Sequence, residues 1–227
     1  MMFAYEVVYS KRRKALSIIV ERDKRVVVQA PEGLPVSEIS AIVEEKRKWI
    51  ESKISDINKY DDIPEKKEFV SGETMMLLGR HYKLSVVNSI FSGIQFDEAI
   101  FKISKQSQVS ANELFKDWYK RYALQKIEVI AKDFAIRLGV NYTDCIISEN
   151  MKYRWASCTT KGNINFNWRI IKAPMFVIEY IIVHELVHLL EARHSDAFWN
   201  IVSVQVPRYI EAKEWLKING GLLEIDF

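Results

Sequence analysis

The chain has 227 residues, enough to bury a sizeable core in one domain or in two small lobes. Its composition, with 48% hydrophobic and 28% charged residues, is that of a folded globular protein and excludes intrinsic disorder. A net charge of +3 is too small to indicate nucleic-acid binding by itself. The first residues lack the long apolar core of a signal peptide, and two cysteines are too few for a disulfide scaffold. We therefore expect a cytoplasmic protein.

Residues 1–70 predict an N-terminal lobe of strands and one helix. The segments YEVVYS, KALSIIVER and RVVVQAP are rich in β-branched residues and predict a small antiparallel sheet of hairpins. The following segment, VSEISAIVEEKRKWIESKISDI, has apolar residues at helical spacing and predicts one amphipathic helix. The polar connector NKYDDIPEKKE then leads to a core of residues 71–227, although a single compact domain is the alternative.

The core is predicted to combine hairpins, helices and a short sheet, which makes the fold class α+β. TMMLLGRHYKLSVV and GIQFDEAIFKIS predict two hairpins. The segment SANELFKDWYKRYALQKIEVIAKDFAIRLGV predicts a long helix that begins with a capping box of Ser110 and Glu113 and ends at Gly139. CIISE and NINFNWRII are predicted as the next strands, followed by an apolar helix. A last helix, VPRYIEAKEWLKI, is predicted to stop at Gly220 and Gly221.

The apolar helix, which is predicted to begin at Pro174, contains HELVH at residues 184–188 and so matches the H-E-x-x-H pattern. Residues i and i+4 share one face of a helix, so the imidazoles of His184 and His188 can hold one metal ion, and Glu185 can reach a metal-bound water. The flanking residues are apolar almost all round. Buried imidazoles and a buried carboxylate need a partner, which favours a metal over a helix whose histidines are only hydrogen-bonded. The same polar residues exclude a membrane span.

A catalytic zinc site usually has three protein ligands and an open position for water. The candidates for the third ligand are His194, Glu191 and Asp196. His194 can reach the metal only if the helix ends first, and Ser195 could cap a new helix after that bend. We favour His194 because imidazole is the commonest ligand type, while Glu191 has the alternative role of holding a ligand imidazole. The spacing equals that of the metzincins, but Glu191 replaces their glycine and no methionine follows for a Met-turn.

Three segments resemble the YgjP-like metallopeptidase family, which is itself similar to SprT-type zincin-like proteins. These segments are RWASCTTKGNINFNWRIIKAP, YIIVHELVHLLEARHSDAFW and SKRRKALSIIVERDKRVVVQAPEG. The resemblance spans nearly the whole chain. It implies a zincin-like core with one zinc ion at His184, His188 and His194, and with Glu185 as the catalytic residue.

The segment before the metal helix is predicted to form a wall of the active site. It combines basic residues with tryptophans, including Arg154 and Trp155, and Arg154 could meet an anionic group. The strand NINFN, with Asn165 at its centre, could present its edge to an extended peptide. Tyr209 and Arg154 are candidate donors to the oxyanion. The alternative is a plain hairpin with solvated charges and buried tryptophans.

We predict a zinc-dependent metallopeptidase in which a metal-activated water attacks a peptide carbonyl and Glu185 transfers the protons. The substrate is then a peptide or a protein, with no membrane partner. One alternative is phosphoanhydride hydrolysis of a nucleotide, held by Lys152, Arg154, Lys161 and Arg169. A second is a nucleic-acid-binding or adaptor protein whose structural zinc is closed by Cys158. His81 is predicted to be an ordinary strand residue.

Overall fold

A computed structural model of the chain describes residues 3–20, 25–58, 67–151 and 154–224. Within these ranges the chain forms six α-helices and three small sheets, so the predicted α+β class is confirmed. The chain divides into two compact units, Met1–Pro64 and Glu65–Phe227. Most of the predicted connector, residues 59–66, lies outside the described ranges.

The first unit contains strands β1 (Tyr5–Ser10), β2 (Ser17–Val20) and β3 (Val26–Pro31), followed by helices α1 (Val36–Glu45) and α2 (Arg47–Asn58). The strand order is β1-β3-β2, in which β2 is antiparallel to β3 and β1 is parallel to it. The expectation of a purely antiparallel sheet is therefore wrong, because an apolar pattern sets which face is buried but not the direction of the neighbouring strand. The single predicted helix is divided at Lys46.

The second unit begins with a four-stranded sheet that contains both predicted hairpins. Strands β4 (Thr74–Leu77) and β5 (Arg80–Val87) form the first hairpin, and β6 (Ile94–Phe96) and β7 (Ile100–Ser104) form the second. The order is β4-β5-β7-β6, with β5 and β7 parallel. This sheet supplies Met75, Leu77, Leu84, Phe101 and Ile103 to the larger hydrophobic core.

The long predicted helix is present as α3 (Ala111–Leu138), which buries residues such as Phe115 and Tyr119 in the same core. Gly139 ends it in the left-handed conformation with φ 67°, as the sequence predicts. The predicted capping box is wrong, because the Ser110 side chain makes no cap hydrogen bond. A 3-10 helix precedes α3, and the Ser110 hydroxyl instead donates to the carbonyl of Ser107 at 3.3 Å.

A three-stranded sheet lies next along the chain. Its strands are β8 (Asp144–Ser148), β9 (Ala156–Cys158) and β10 (Asn163–Asn167), in the order β8-β10-β9. The prediction that NINFNWRII is one strand is wrong in its second half, because the Asn167 side chain accepts from the Arg169 N–H and Trp168–Lys172 form a 3-10 helix. Strand β10 is the NINFN part. The expectation that it has a free edge is wrong, because β8 pairs with one side and β9 with the other. The outer side of β9 is paired with no strand among the described residues.

Three helices complete the second unit: α4 (Met175–Val187), α5 (Asp196–Gln205) and α6 (Tyr209–Glu224). The first hairpin fixes the start of α4, because the Gly79 N–H donates to the Lys172 carbonyl at 2.8 Å and a Cβ on Gly79 would lie 2.7 Å from Cγ of Pro174. Helix α6 runs through Gly220 and Gly221, where the sequence predicts its end. No helix in the described ranges has the length and apolarity needed to cross a membrane.

Candidate metal centre

Helix α4 is buried almost all round and carries the HELVH residues at its C-terminal end. The helix ends at Val187, and His188 is its C-cap residue, with φ −61° and ψ −18°. His188 thus retains helical backbone angles, and its ring centroid lies 4.9 Å from that of His184. The i and i+4 imidazoles therefore meet on one side of the helix.

The chain turns after α4 without a glycine. No residue in the range 188–195 has a positive φ, so ordinary side chains fit there without backbone strain. The turn is held by local hydrogen bonds: the carboxylate of Glu191 accepts from the Arg193 N–H at 3.1 Å, and the Arg193 carbonyl accepts from the Ser195 N–H at 2.8 Å. The Ser195 hydroxyl then caps α5. These bonds bring His194 back to the end of α4.

The imidazoles of His184, His188 and His194 converge. Their ligand atoms all lie within 4.8 Å of one another, and in the described part of the chain they form the one group of three or more potential metal ligands. The Nε2 atoms of His184 and His194 are 3.0 Å apart. Two nitrogens bound to one tetrahedral zinc ion would be separated by about 3.3 Å, so this spacing fits a single ion. Neither Glu191 nor Asp196 belongs to the group.

The lowered pKa values of His184 and His188 also fit a metal site. Burial, together with the positive charges of His188, His194 and Lys213, lowers the pKa of His184 to about 3. Burial lowers the pKa of His188 as well, and its Nδ1 donates to the Glu191 carbonyl at 3.2 Å, which leaves Nε2 free to bind. Nδ1 of His184 is buried and has no hydrogen-bond partner. Burial thus favours neutral imidazoles at His184 and His188, and neutral imidazole nitrogens that converge are ligands that a divalent transition metal prefers.

Aromatic side chains from α5 hold these rings in place. The ring centroid of Phe198 lies 4.9 Å from that of His184, 4.7 Å from that of His188 and 4.8 Å from that of His194. Trp199 stacks on His194 at 5.7 Å with 21° between the ring planes. Because these contacts restrict the rotamers of the imidazoles, the ligand geometry is largely set by packing.

Glu185 lies beside the histidine cluster and is only 8% exposed. Burial raises the pKa of its carboxyl group to about 7, opposed by a hydrogen bond from the backbone N–H of Cys158 and by the charge of Arg154. A general base works best when its pKa is near the operating pH. The edge strand β9 thus holds the carboxylate of Glu185 through the Cys158 amide.

Comparison with known proteins identifies the family. A family model described as YgjP-like, metallopeptidase domain, matches residues 14–219. The chain belongs to this family. As a YgjP-like metallopeptidase, it is a metal-dependent peptidase, and the resemblance of its three segments to the family is confirmed.

Two solved structures are similar to part of this YgjP-like metallopeptidase. One is the metallopeptidase zymogen abylysin of Pyrococcus abyssi, with 25% identity and a TM-score of 0.37 over 40% of this chain and 90% of that chain. The other is the metallopeptidase zymogen jannalysin of Methanocaldococcus jannaschii, with 26% identity and a TM-score of 0.35 over 40% of this chain and 96% of that chain. A comparison with curated protein sequences gives no significant match.

The residues predicted to bind substrate have different surroundings. Arg154 is exposed, and its charge acts on Glu185. Trp155 packs against α6, where Gly220 gives its indole room, since a Cβ on that glycine would lie 3.3 Å from Cζ2. Neither Gly220 nor Gly221 has a positive φ, which is why α6 does not end there. Asn165 is half-buried on the middle strand β10.

Tyr209, the other predicted oxyanion donor, begins α6 and is half-buried. Its ring stacks on Trp199 at 5.6 Å with 22° between the planes. Tyr209 therefore lies in the aromatic packing around the centre and contacts Trp199.

The basic residues of the nucleotide alternative are dispersed. Arg169 is 8% exposed, and its guanidinium lies 4.8 Å from the centroid of the Trp168 ring, so it is unavailable to an outside phosphate. Lys161 is exposed, and Lys152 lies outside the described residues. Cys158, considered as a fourth ligand of a structural zinc, is not in the metal-binding group. The family model describes a metallopeptidase domain and gives no support to a nucleotide or nucleic-acid partner.

Three features of the site have no counterpart in the sequence predictions. Phe198 and Trp199 could have been inferred, because a helix capped by Ser195 places its first turn beside His194. The hydrogen bond from the Cys158 N–H could not have been inferred, because nearly every residue has a backbone N–H and the sequence does not mark which one meets Glu185. The position of Lys213 could not either, because it depends on how α6 packs against α5.

Proposed function

We propose that this YgjP-like metallopeptidase is a zinc enzyme in which His184, His188 and His194 bind one Zn²⁺ and Glu185 is the general base and acid. One observation carries the proposal: three imidazoles whose ligand atoms lie within 4.8 Å of one another, beside a buried carboxylate. Three imidazole ligands leave one coordination position open, which is typical of catalytic rather than structural zinc.

The chemistry is divided between the metal and the chain. A bound zinc ion supplies Lewis acidity, which activates a water and polarises the scissile carbonyl. Glu185 accepts a proton from the attacking water at its carboxylate and then donates it to the leaving amine. The Cys158 N–H keeps the carboxylate in one orientation during both transfers. Arg154 is kept as a candidate donor to the oxyanion, because its positive charge is near enough to Glu185 to lower the pKa of that carboxyl group.

The substrate is a peptide or an extended segment of a protein. Its backbone is expected to lie along β9, the strand next to Glu185, because the outer edge of β9 is unpaired among the described strands. An extended peptide can add to such an edge through main-chain hydrogen bonds.

The test combines metal analysis with peptide cleavage. Glu185→Gln is expected to keep one zinc ion per chain and to lower cleavage at least 100-fold, because the proton acceptor is lost. His194→Ala is expected to lower both zinc affinity and cleavage, because one ligand is removed. Zinc content is measured by mass spectrometry, and cleavage with a mixed peptide library.

His81→Ala is the matched control, since His81 is the remaining histidine and is exposed on β5. It should change neither zinc content nor cleavage. The same variants are assayed with nucleoside triphosphates. Phosphate release that depends on Glu185, without peptide cleavage, would refute the peptidase proposal.

A further inference from the structure

Lys213, on α6, is a positive charge at the rim of the metal centre. Its Nζ lies 4.2 Å from the centroid of the Trp199 ring, and that ring centroid lies 5.9 Å from the ring of His184. Together these distances place the ammonium no more than about 10 Å from the His184 ring.

Lys213 differs from the other basic residues of this helix in having no acidic partner among the described residues. Arg208, just before the helix, pairs with Glu211 at 2.8 Å, and Lys217 pairs with Glu214 at 3.2 Å. The side chain of Lys213 is exposed and lies against the indole of Trp199 instead. The stacking contact orients the ammonium, and the charge stays available to an external anion.

The charge of Lys213 is unfavourable beside a cation site unless an anion lies between them. Two positive groups this close repel each other, whereas a carboxylate near both is attracted to both. The indole of Trp199 also fixes the ammonium before any ligand arrives, which reduces the entropy lost on binding.

From this placement we propose that Lys213 binds a carboxylate of the peptide substrate and so makes the enzyme selective for peptides with a negative charge near the scissile bond. This inference rests on the proposed peptidase function and names its substrate class. An extended peptide advances about 3.3 Å per residue, so the carboxylate belongs to a residue within about three positions of the cleaved bond. It is either the free C-terminus or an acidic side chain, and the experiment separates these two sources.

The experiment measures peptide binding to the zinc-loaded full chain carrying Glu185→Gln, so that no peptide is cleaved. Two pairs of short peptide libraries are compared: free-acid against amidated C-termini, and internal Asp against Asn with amidated ends. Dissociation constants come from intrinsic fluorescence, to which Trp199 is expected to contribute. We expect one carboxylate-bearing library to bind about 5- to 10-fold more tightly than its neutral partner at low salt, and the difference to shrink at 1 M salt.

Substitutions at Lys213 distinguish carboxylate recognition from simple packing. Lys213→Met keeps an apolar chain on Trp199 and should reduce the preference to less than about twofold, while neutral peptides bind as before. Lys213→Arg should retain most of the preference, and Lys213→Glu should reverse it towards peptides with basic residues. Lys217→Met, four residues along the helix, is the matched control and should change nothing.

Each result decides the inference. A carboxylate preference that survives Lys213→Met, the absence of any preference, or the absence of any peptide binding would overturn it. An equal loss for charged and neutral peptides would show that Lys213 only packs the helix. Peptide cleavage by the wild-type chain and the variants is measured in parallel. Cleavage that depends on Glu185 but not on Lys213 would refute this inference and leave the proposed function intact. Peptide binding that depends on Lys213, without any cleavage, would refute the proposed function and leave the carboxylate recognition intact.

Discussion

Glu185 is an 8% exposed carboxyl group, so its ionised form is unfavourable in the metal-free protein. Its pKa is about 7 in the folded chain against a usual value of 4.5. Between these pH values the folded protein holds a proton that the unfolded chain releases, so this group makes stability fall as pH rises from 4.5 to 7. The expected loss is on the order of 3 kcal/mol. Metal-free Glu185→Gln should avoid this loss, so its stability relative to wild type should increase by that amount between pH 4 and pH 8 in urea titrations.

Glu179→Gln, on the same helix, is the control. Burial also raises the pKa of Glu179, but this residue is only half-buried, and the charge of Arg137 opposes the shift. Its stability difference should therefore change less with pH. A pH-independent difference between wild type and Glu185→Gln would contradict the argument. Comparing each variant with wild type also removes the opposite contribution of His184, whose lowered pKa makes stability rise with pH from about 3 to its usual value of 6.5.

At the scale of residues, local spacing can be read from the sequence and long-range contacts cannot. The proximity of His184 and His188 follows from helical geometry, and the apolar flanks indicate that the pair is buried. The sequence predicts that His194 reaches the metal only if the helix ends before it. It does not show that the helix ends there, because the hydrogen bonds of the turn involve the Glu191 carboxylate and backbone groups. The position of Lys213 against Trp199 could not be predicted, because it depends on how α6 packs against α5 and the spacing of apolar residues does not specify that packing.

At the scale of elements, the short turn before α5 determines where His194 lies. The Ser195 hydroxyl accepts from the Phe198 N–H at 3.3 Å, and Phe198 packs against all three imidazoles. Ser195→Ala is expected to destabilise the protein by about 1 kcal/mol. Because His194 directly precedes the cap, zinc affinity should also fall, by about fivefold, as measured by competition with a chelator.

Ser110→Ala tests whether the effect belongs to the cap. Ser110 occupies the same position at α3 but makes no side-chain cap hydrogen bond, so its loss should change stability by less than about 0.5 kcal/mol and leave zinc affinity unchanged. Equal effects of the two substitutions would contradict the role given to Ser195. The comparison also shows why cap motifs alone are insufficient: both serines have the right sequence context, but a preceding 3-10 helix redirects one of them.

The ends of helices and the positions of strands were predictable where one local sequence signal determines them. They were not predictable where packing against distant residues determines them. Gly139 adopts the left-handed conformation and ends α3, whereas Gly220 lies inside α6, where its missing side chain leaves room for the indole of Trp155. The strand NINFN has the predicted conformation but a central position, since strand order depends on contacts distant in sequence.

At the scale of the molecule, the two hydrophobic cores draw on separate parts of the chain. The smaller core uses residues up to position 54, and the larger one begins at Phe69 and includes the apolar residues around the metal centre. We therefore expect a fragment of residues 65–227 to fold cooperatively and to bind one zinc ion with an affinity within about threefold of the full chain, because every proposed ligand and its packing partners are retained. Circular dichroism and zinc titration provide the measurements, with His194→Ala in the same fragment as the control.

A second fragment, residues 71–227, tests where the unit begins. The sequence places the boundary after residue 70, but Phe69 is 7% exposed and its ring stacks on Phe115 at 5.5 Å. The Phe69 carbonyl also accepts a hydrogen bond from the Gln108 side chain at 3.0 Å. Removing a buried phenylalanine typically destabilises a core by about 3 kcal/mol or more, so the shorter fragment should unfold at clearly lower urea than the longer one. Equal stabilities would place Phe69 outside the core, and loss of zinc binding by residues 65–227 would show that the N-terminal unit is needed to form the metal centre.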